Sequence, residues 1–257
     1  MILPAYNEAG SIVELINAIL RYAPPDAEVL LVDDDSPDGT ARRASEAFRG
    51  SDRVRVTVRS RDRGLARSVR AGIEAARSDR VLIMDSDFNH DPRDIPRLIG
   101  VAAFADIVIG SRFAPGGNMP DRARYLGSLV YNLFVRMALR TQVQDNLSGY
   151  FVIRRNAVLS LPLDEIFFGF GDYFFRLLHF AQRSGFSIIE VPVVYGTRDS
   201  GHPKHSVFKT FFQYTGSLLR FRSRLQASGR AAPARRRSSV DVRIPLDAVQ
   251  PEPPVET

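Results

Sequence analysis

The chain has 257 residues, 44% of them hydrophobic and 25% charged, with a formal net charge of +6 and no cysteine. That length suits one sizeable core rather than two full domains, and the missing cysteines exclude disulfides and thiolate metal sites. The positive charge points to an anionic partner, whether nucleic acid, lipid headgroups or a phosphorylated substrate. Much of it lies after residue 219, at Arg220, Arg222, Arg224, Arg230 and Arg235 to Arg237, so composition alone does not choose among these. The first residues do not pair a basic segment with an apolar run, and no stretch approaches the roughly 20 apolar residues of a membrane span.

In chain order, Met1-Ile2-Leu3 runs straight into Pro4, leaving little of a first strand. Residues 11–21 carry helical spacing at Ile12, Leu15, Ile16 and Ile19. Short apolar runs at 29–32, 54–58, 81–84 and 107–109 predict buried strands, and helices are predicted over 38–48, 66–77 and 93–101. This alternation implies an α/β fold with a mostly parallel sheet and helices on both faces. Ligands of such sheets bind beyond the carboxyl ends of the strands. Further on, helices are expected over 121–140 and 170–184 and a strand over 188–194. An amphipathic, basic, aromatic-rich helix is expected over 206–225, its pattern starting at Val207. The Ala, Pro, Arg, Ser and Glu content of 226–257 predicts a disordered tail.

Acidic residues collect where ligands of such a sheet bind. Asp85-Ser86-Asp87 directly follows a buried strand, where two carboxylates repel one another and are costly without a cation. Hard oxygen ligands suit Mg²⁺ or Mn²⁺, with Asn89 and His90 placed to complete or orient the shell. The alternative is a polar turn. In Asp33-Asp34-Asp35-Ser36-Pro37-Asp38-Gly39-Thr40, Asp38 or Thr40 suits a helix cap, whereas Asp33 and Asp34 stand where a carboxylate can accept from a base or ribose. In Pro4-Ala5-Tyr6-Asn7-Glu8, Asn7 suits a cap, Glu8 a helix start, and Tyr6 either packing or stacking on a base.

The order Pro-Ala-Tyr-Asn-Glu, Val-Asp-Asp-x-Ser-x-Asp-Gly-Thr, Gly64-Leu65-x-x-Ser68-x-x-x-Gly72 and Met-Asp-Ser-Asp resembles family 2 glycosyltransferases of the GT-A fold. Residues 106–113 with Gly116-Gly117, Asp145-x-x-Ser148-Gly149, and Glu190-Val191-Pro192 followed by Arg198-x-x-Gly201-x-x-Lys204 are similar to the dolichol-phosphate mannose synthase group. The resemblance covers residues 1 to 215, with the catalytic domain over 1–205. It implies that Pro4, Tyr6, Glu8, Val32 and Asp34 hold a donor nucleoside. Asp85, Ser86, Asp87 and Asn89 would line metal and diphosphate, and Arg112, Arg198 and Lys204 would neutralise phosphate charge. The implied donor is GDP-mannose, with UDP-glucose the alternative, and the implied acceptor a polyprenyl phosphate. There are departures: Asn89 replaces a common Gln or Ser, Ala66 a common Gly, and Gly201-His202-Pro203-Lys204-His205 the usual Gly-Glu-Ser-Lys-Leu. Asp172 falls where relatives carry Glu.

Transfer to a sugar hydroxyl with inversion needs a general base, for which Asp145 or Asp172 is the evident source. A phosphate monoester, with its second pKa of about 6, is already anionic near neutrality and needs none. Arg124 and Ser128, four apart on one helix face, match the group's acceptor-phosphate spacing, although a solvated face reads the same way. With no tryptophan, the Gln-x-x-Arg-Trp element of processive synthases is absent. A hydroxyl-directed transferase is therefore the second expectation. A sugar nucleotidyltransferase ranks below it, because residues 4–10 do not resemble the Gly-rich basic loop of that class. A nucleic-acid-binding protein ranks last, since the acidic clusters repel a polyanion. The expected location is the cytoplasmic face of a membrane, held peripherally by the basic helix or recruited by a membrane-spanning partner.

Overall fold

The computed structural model describes residues 1–196 and 207–227, the side chains of 207–210 excepted. Arg198, His202, Lys204, His205 and nearly all of the expected tail lie outside the described residues. In the first half, β1 (Ile2–Ala5), α1 (Ile12–Tyr22), β2 (Val29–Asp33), α2 (Thr40–Ala47), β3 (Val54–Val58), α3 (Leu65–Ala75) and β4 (Arg80–Ile83) alternate as the patterning predicts. A short 3₁₀ turn then leads into α4 (Ile95–Ala102), β5 (Ile107–Ser111) and α5 (Arg122–Leu139). The chain continues through β6 (Phe151–Arg154), α6 (Arg155–Leu159), α7 (Leu163–Ile166), α8 (Tyr173–Arg183), β7 (Ile188–Pro192) and α9 (Val207–Ala227).

Among the described residues the strands form one sheet in the order β3-β2-β1-β4-β6-β5-β7. Only β6 runs antiparallel to its neighbours. Alternate strand residues serve opposite faces, as the two-residue repeat requires. Leu30, Val32, Ile83, Ile109 and Phe151 join a core with α3, α5, α8 and α9. Leu31, Leu82, Met84, Val108 and Val152 join a second with α1 and α4. Both faces are covered, so the strands read as continuous apolar runs. α3 lies close on β1 because residue 72 is glycine: a Cβ there would clash with the Ile2 side chain.

Three expectations are corrected. The first strand is a full central strand, not a remnant, and Pro4 sits inside it. Proline is tolerated there because of the side it faces. Leu30 and Asp34 donate to the carbonyls of Met1 and Ala5, so odd residues of β1 face β2, while Ile2 and Pro4 face β4. The β1–β4 ladder holds at Ile2 and ends where Pro4 has no N–H to give. Second, the helix after Glu8 begins at Ile12 with Ser11 as N-cap, not Asn7. Third, β6 has no counterpart among the predicted strands, and β7 ends at Pro192, with Val194 forming only an isolated bridge to Asn118.

Helix α9 is partly a core element. Ser217, Leu218, Phe221 and Leu225 are buried, with the Phe221 ring against Phe175 and His179 of α8. Burial, joined by the Arg183 charge and opposed by the Leu139 carbonyl, lowers the His179 pKa to about 4. The folded state therefore keeps this ring neutral while the unfolded chain takes up a proton below about 6.5, so His179 removes stability as pH falls from 6.5 to 4. His179→Leu should shrink the loss of unfolding free energy between pH 7 and 4.5 by on the order of 2 kcal/mol, measured by urea titration. An unchanged acid limb would refute this source. Among the described residues no helix is long and apolar enough to cross a membrane.

Candidate active site

The strand order reverses direction between β1 and β4, which places a crevice beyond their carboxyl ends. Past Ile2 the two strands no longer exchange main-chain bonds; instead the Ser86 hydroxyl donates to the Pro4 carbonyl at 2.9 Å. This joins two predicted site residues, and Val32 stands beside Pro4 in register. Tyr6, 48% exposed, projects from the loop that follows.

That loop is clipped to the acidic loop after β2. Asn7 N–H donates to Ser36 Oγ at 3.0 Å, Glu8 N–H to Thr40 Oγ1 at 2.9 Å and Ala9 N–H to Asp38 Oδ2 at 2.9 Å. Asp33 is buried and accepts from the Ser36 N–H and hydroxyl. Asp34 is also engaged. Its Oδ1 accepts from Arg59 and from the Ser68 hydroxyl, each at 2.6 Å, and its Oδ2 from the Gly64 N–H at 2.6 Å. Asp34 thus ties the β2 loop to the start of α3, a role not read from the sequence. The Gly64-x-x-x-Ser68 spacing was its only local sign, and Arg59 had none.

Asp85 and Asp87 follow β4, both half-buried, and Asp87 Oδ1 accepts from the Asn89 N–H at 3.2 Å. Asn89 is buried, and its carbonyl accepts from Gly196 N–H at 3.0 Å. Among the described residues no group of three or more His, Cys, Asp or Glu could enclose a metal. Two oxygen ligands at a crevice mouth fit Mg²⁺ or Mn²⁺, which retain positions for water and substrate phosphates, and do not fit a closed structural site. His90 is buried, and its Nδ1 accepts from the Asp85 N–H at 2.9 Å. Burial is the main reason its pKa drops to about 4, so the ring is neutral.

Arg112 and Asp145 form a buried bidentate pair, with Nε–Oδ2 at 2.8 Å and Nη2–Oδ1 at 2.7 Å. Burial works against the Arg112 charge, but Asp145 more than compensates, and Asp85 adds a smaller favourable field. Glu190 orients Asp145 by accepting from the Gln144 and Asp145 N–H groups at 2.7 and 2.9 Å. Asp172 is buried too, bonded to Arg176, to the Ser217 hydroxyl at 2.6 Å and to the Phe170 N–H at 2.8 Å. Of the expected acceptor residues, Arg124 is exposed and Ser128 half-buried. They fall on the side of α5 that carries the buried Tyr131 and Val135 further along, so that side turns toward the protein.

The family model described as Glycosyl transferase family 2 matches residues 1–161. The chain belongs to glycosyl transferase family 2. This family 2 enzyme is 37% identical over 216 residues to the polyprenol monophosphomannose synthase of Mycolicibacterium smegmatis, covering 80% of each chain. It is 36% identical to the undecaprenyl-phosphate mannosyltransferase of Micrococcus luteus, covering 80% of this chain and 86% of that one. Among solved structures, glucosyl-3-phosphoglycerate synthase from Mycobacterium tuberculosis with Mn²⁺, UDP and phosphoglyceric acid superposes with a TM-score of 0.66. It shares 22% identity, over 89% of this chain and 77% of that one. The glycosyltransferase therefore has the GT-A type fold that its motifs resembled.

Proposed function

We propose that this enzyme transfers mannose, with inversion, from GDP-mannose to the phosphate of a polyprenyl lipid. The observation that carries this reading is the fate of the two carboxylates once available as a general base. Asp145 is bound bidentately by Arg112, and Asp172 by Arg176 and Ser217, both out of solvent. A hydroxyl acceptor would need such a base, whereas an anionic phosphate oxygen attacks the anomeric carbon without one. The identities to polyprenyl-phosphate mannose transferases support the same acceptor.

In this reading Asp85 and Asp87, with Asn89 beside them, hold Mg²⁺ or Mn²⁺. Bound there, the metal neutralises charge that accumulates on the leaving nucleoside diphosphate. Pro4, Glu8, Val32 and Asp34 line the nucleoside, Tyr6 stacks on its base, and Ser86 lines the diphosphate. Arg112, with Arg198 and Lys204 from outside the described residues, adds fixed positive charge where the diphosphate departs. Arg124 and Ser128 receive the acceptor phosphate. Incubation with radiolabelled GDP-mannose or UDP-glucose and short polyprenyl phosphates tests the assignment. Lipid-soluble label from GDP-mannose is expected; label only in water-soluble or protein products would overturn it.

The lipid side has a surface to match. Leu126, Leu129, Val130, Leu133 and Met137 recur along one stripe of α5 and are 39–67% exposed. Phe211, Phe212 and Leu219 of α9 are exposed as well, and the Phe211 ring meets Tyr131 of α5 at 5.2 Å. Exposed Arg220, Arg222 and Arg224 follow along α9. An apolar face with basic neighbours suits the headgroup layer of an anionic bilayer. Docking is thus assigned to α5 together with α9, rather than to α9 alone. Val130→Asp with Leu133→Asp should abolish cosedimentation with anionic vesicles while changing stability by only about 0.5 kcal/mol, as expected for surface sites. Undiminished vesicle binding by the double variant would exclude this face.

A further inference from the structure

His90 stands five residues past Asp85, and its ring is fixed on several sides. Tyr150 stacks on it at 4.7 Å and 11°, and Tyr195 meets it edge-on at 4.8 Å and 72°. Both tyrosines are anchored: the Tyr150 hydroxyl donates to the Asp91 carbonyl at 3.1 Å, and the Tyr195 hydroxyl to the Ser148 carbonyl at 2.5 Å. The Arg112 guanidinium lies over the Tyr195 ring at 4.7 Å. Gly149 closes a further side, since a Cβ there would sit 3.9 Å from both His90 Cε1 and Asp85 Oδ1.

Held this way, the ring has little choice of tautomer. Nδ1 accepts from the Asp85 N–H, so the proton of the neutral imidazole is on Nε2. That Nε2–H is buried and completes no hydrogen bond. Two acceptors face it: the Ser148 carbonyl, which also accepts from Tyr195 and keeps a second lone pair, and Asp85 Oδ2 at 3.8 Å. A buried donor without a partner is uncommon, and carboxylates that bind metals are commonly oriented by a neighbouring donor.

We propose that His90 is the positioning residue for Asp85, gripping its main chain through Nδ1 and orienting its carboxylate for the metal through Nε2–H. One ring addresses both ends of the same aspartate, so the loop conformation and the carboxylate direction are set together. The inference rests on the metal-binding reading of Asp85 and Asp87.

The test compares two variants that lose the aromatic packing equally but keep opposite halves of the imidazole. His90→Asn leaves an acceptor near Nδ1 and no donor near Nε2; His90→Gln leaves a donor near Nε2. Mn²⁺ affinity of the full chain without nucleotide is read by electron paramagnetic resonance. His90→Gln should bind within about threefold of the unsubstituted enzyme, and His90→Asn about 10- to 100-fold more weakly. Equal affinities in the two variants, or an unchanged affinity in His90→Asn, would overturn the assignment. If His90→Asn does not fold, a tenfold loss in His90→Gln overturns it and retained affinity sustains it. If the unsubstituted enzyme binds no Mn²⁺, the metal reading fails and takes this one with it. An intact wild-type affinity with indistinguishable variants removes only the role of His90.

Discussion

Asp87→Ala should reduce transfer by roughly 100-fold or more and leave the remainder indifferent to chelator. The size follows from the several kcal/mol of charge stabilisation a divalent cation provides, at about 1.4 kcal/mol for each tenfold in rate. Stability should hardly change. The variant loses the hydrogen bond from the Asn89 N–H at 3.2 Å but also relieves repulsion between two neighbouring carboxylates. Thermal unfolding in chelator should therefore match the unsubstituted enzyme or exceed it slightly. Normal turnover by Asp87→Ala, or full activity of the unsubstituted enzyme in chelator, would refute the metal role.

The second large effect concerns Arg112 and Asp145. Asp145→Ala should cost about 3–5 kcal/mol, because it leaves a guanidinium in the interior without its bidentate partner. Its side chain is 8% exposed, so water cannot substitute for the lost partner. The double variant Arg112→Met/Asp145→Leu should recover most of that stability, since a buried ion pair replaced by apolar side chains of similar volume is often neutral or better. Activity should not recover with it if Arg112, as proposed, also supplies charge toward the departing diphosphate. Urea unfolding and turnover, measured on the same three proteins, separate the two roles. A stable double variant with full turnover would reduce Arg112 to a structural residue.

Much of the first half was legible because its signals are local. The run 54–58 is a strand with those bounds, and the spacing of Ile12, Leu15, Ile16 and Ile19 gives the buried side of α1. The acidic turns could be placed at strand ends for the same reason. What could not be read is mostly pairing across distance. Asp34 meets Arg59 and Ser68, 25 and 34 residues away, and Asp172 meets Ser217, 45 residues away. Asp145 was visible in a motif, but nothing near it in sequence named Arg112 as its partner. β6 is a miss rather than a hidden signal, because Phe151-Val152-Ile153 is an apolar run of the kind that marked 81–84 and 107–109. The exposed apolar stripe of α5 escaped for another reason. Periodicity identifies apolar stripes but not which one the protein itself covers, and α5 carries one inside and one outside.

Pro4 gives the crevice a property that loops alone could not. A mouth held open by side-chain contacts must be reopened after each fluctuation that lets neighbouring backbones knit together. Here the seam between β1 and β4 stops at an imino acid, and no thermal motion supplies the missing proton donor. The Ser86 hydroxyl then occupies the Pro4 carbonyl that a longer seam would have used. An unpaired seam at the switch point is thus written into the covalent chain.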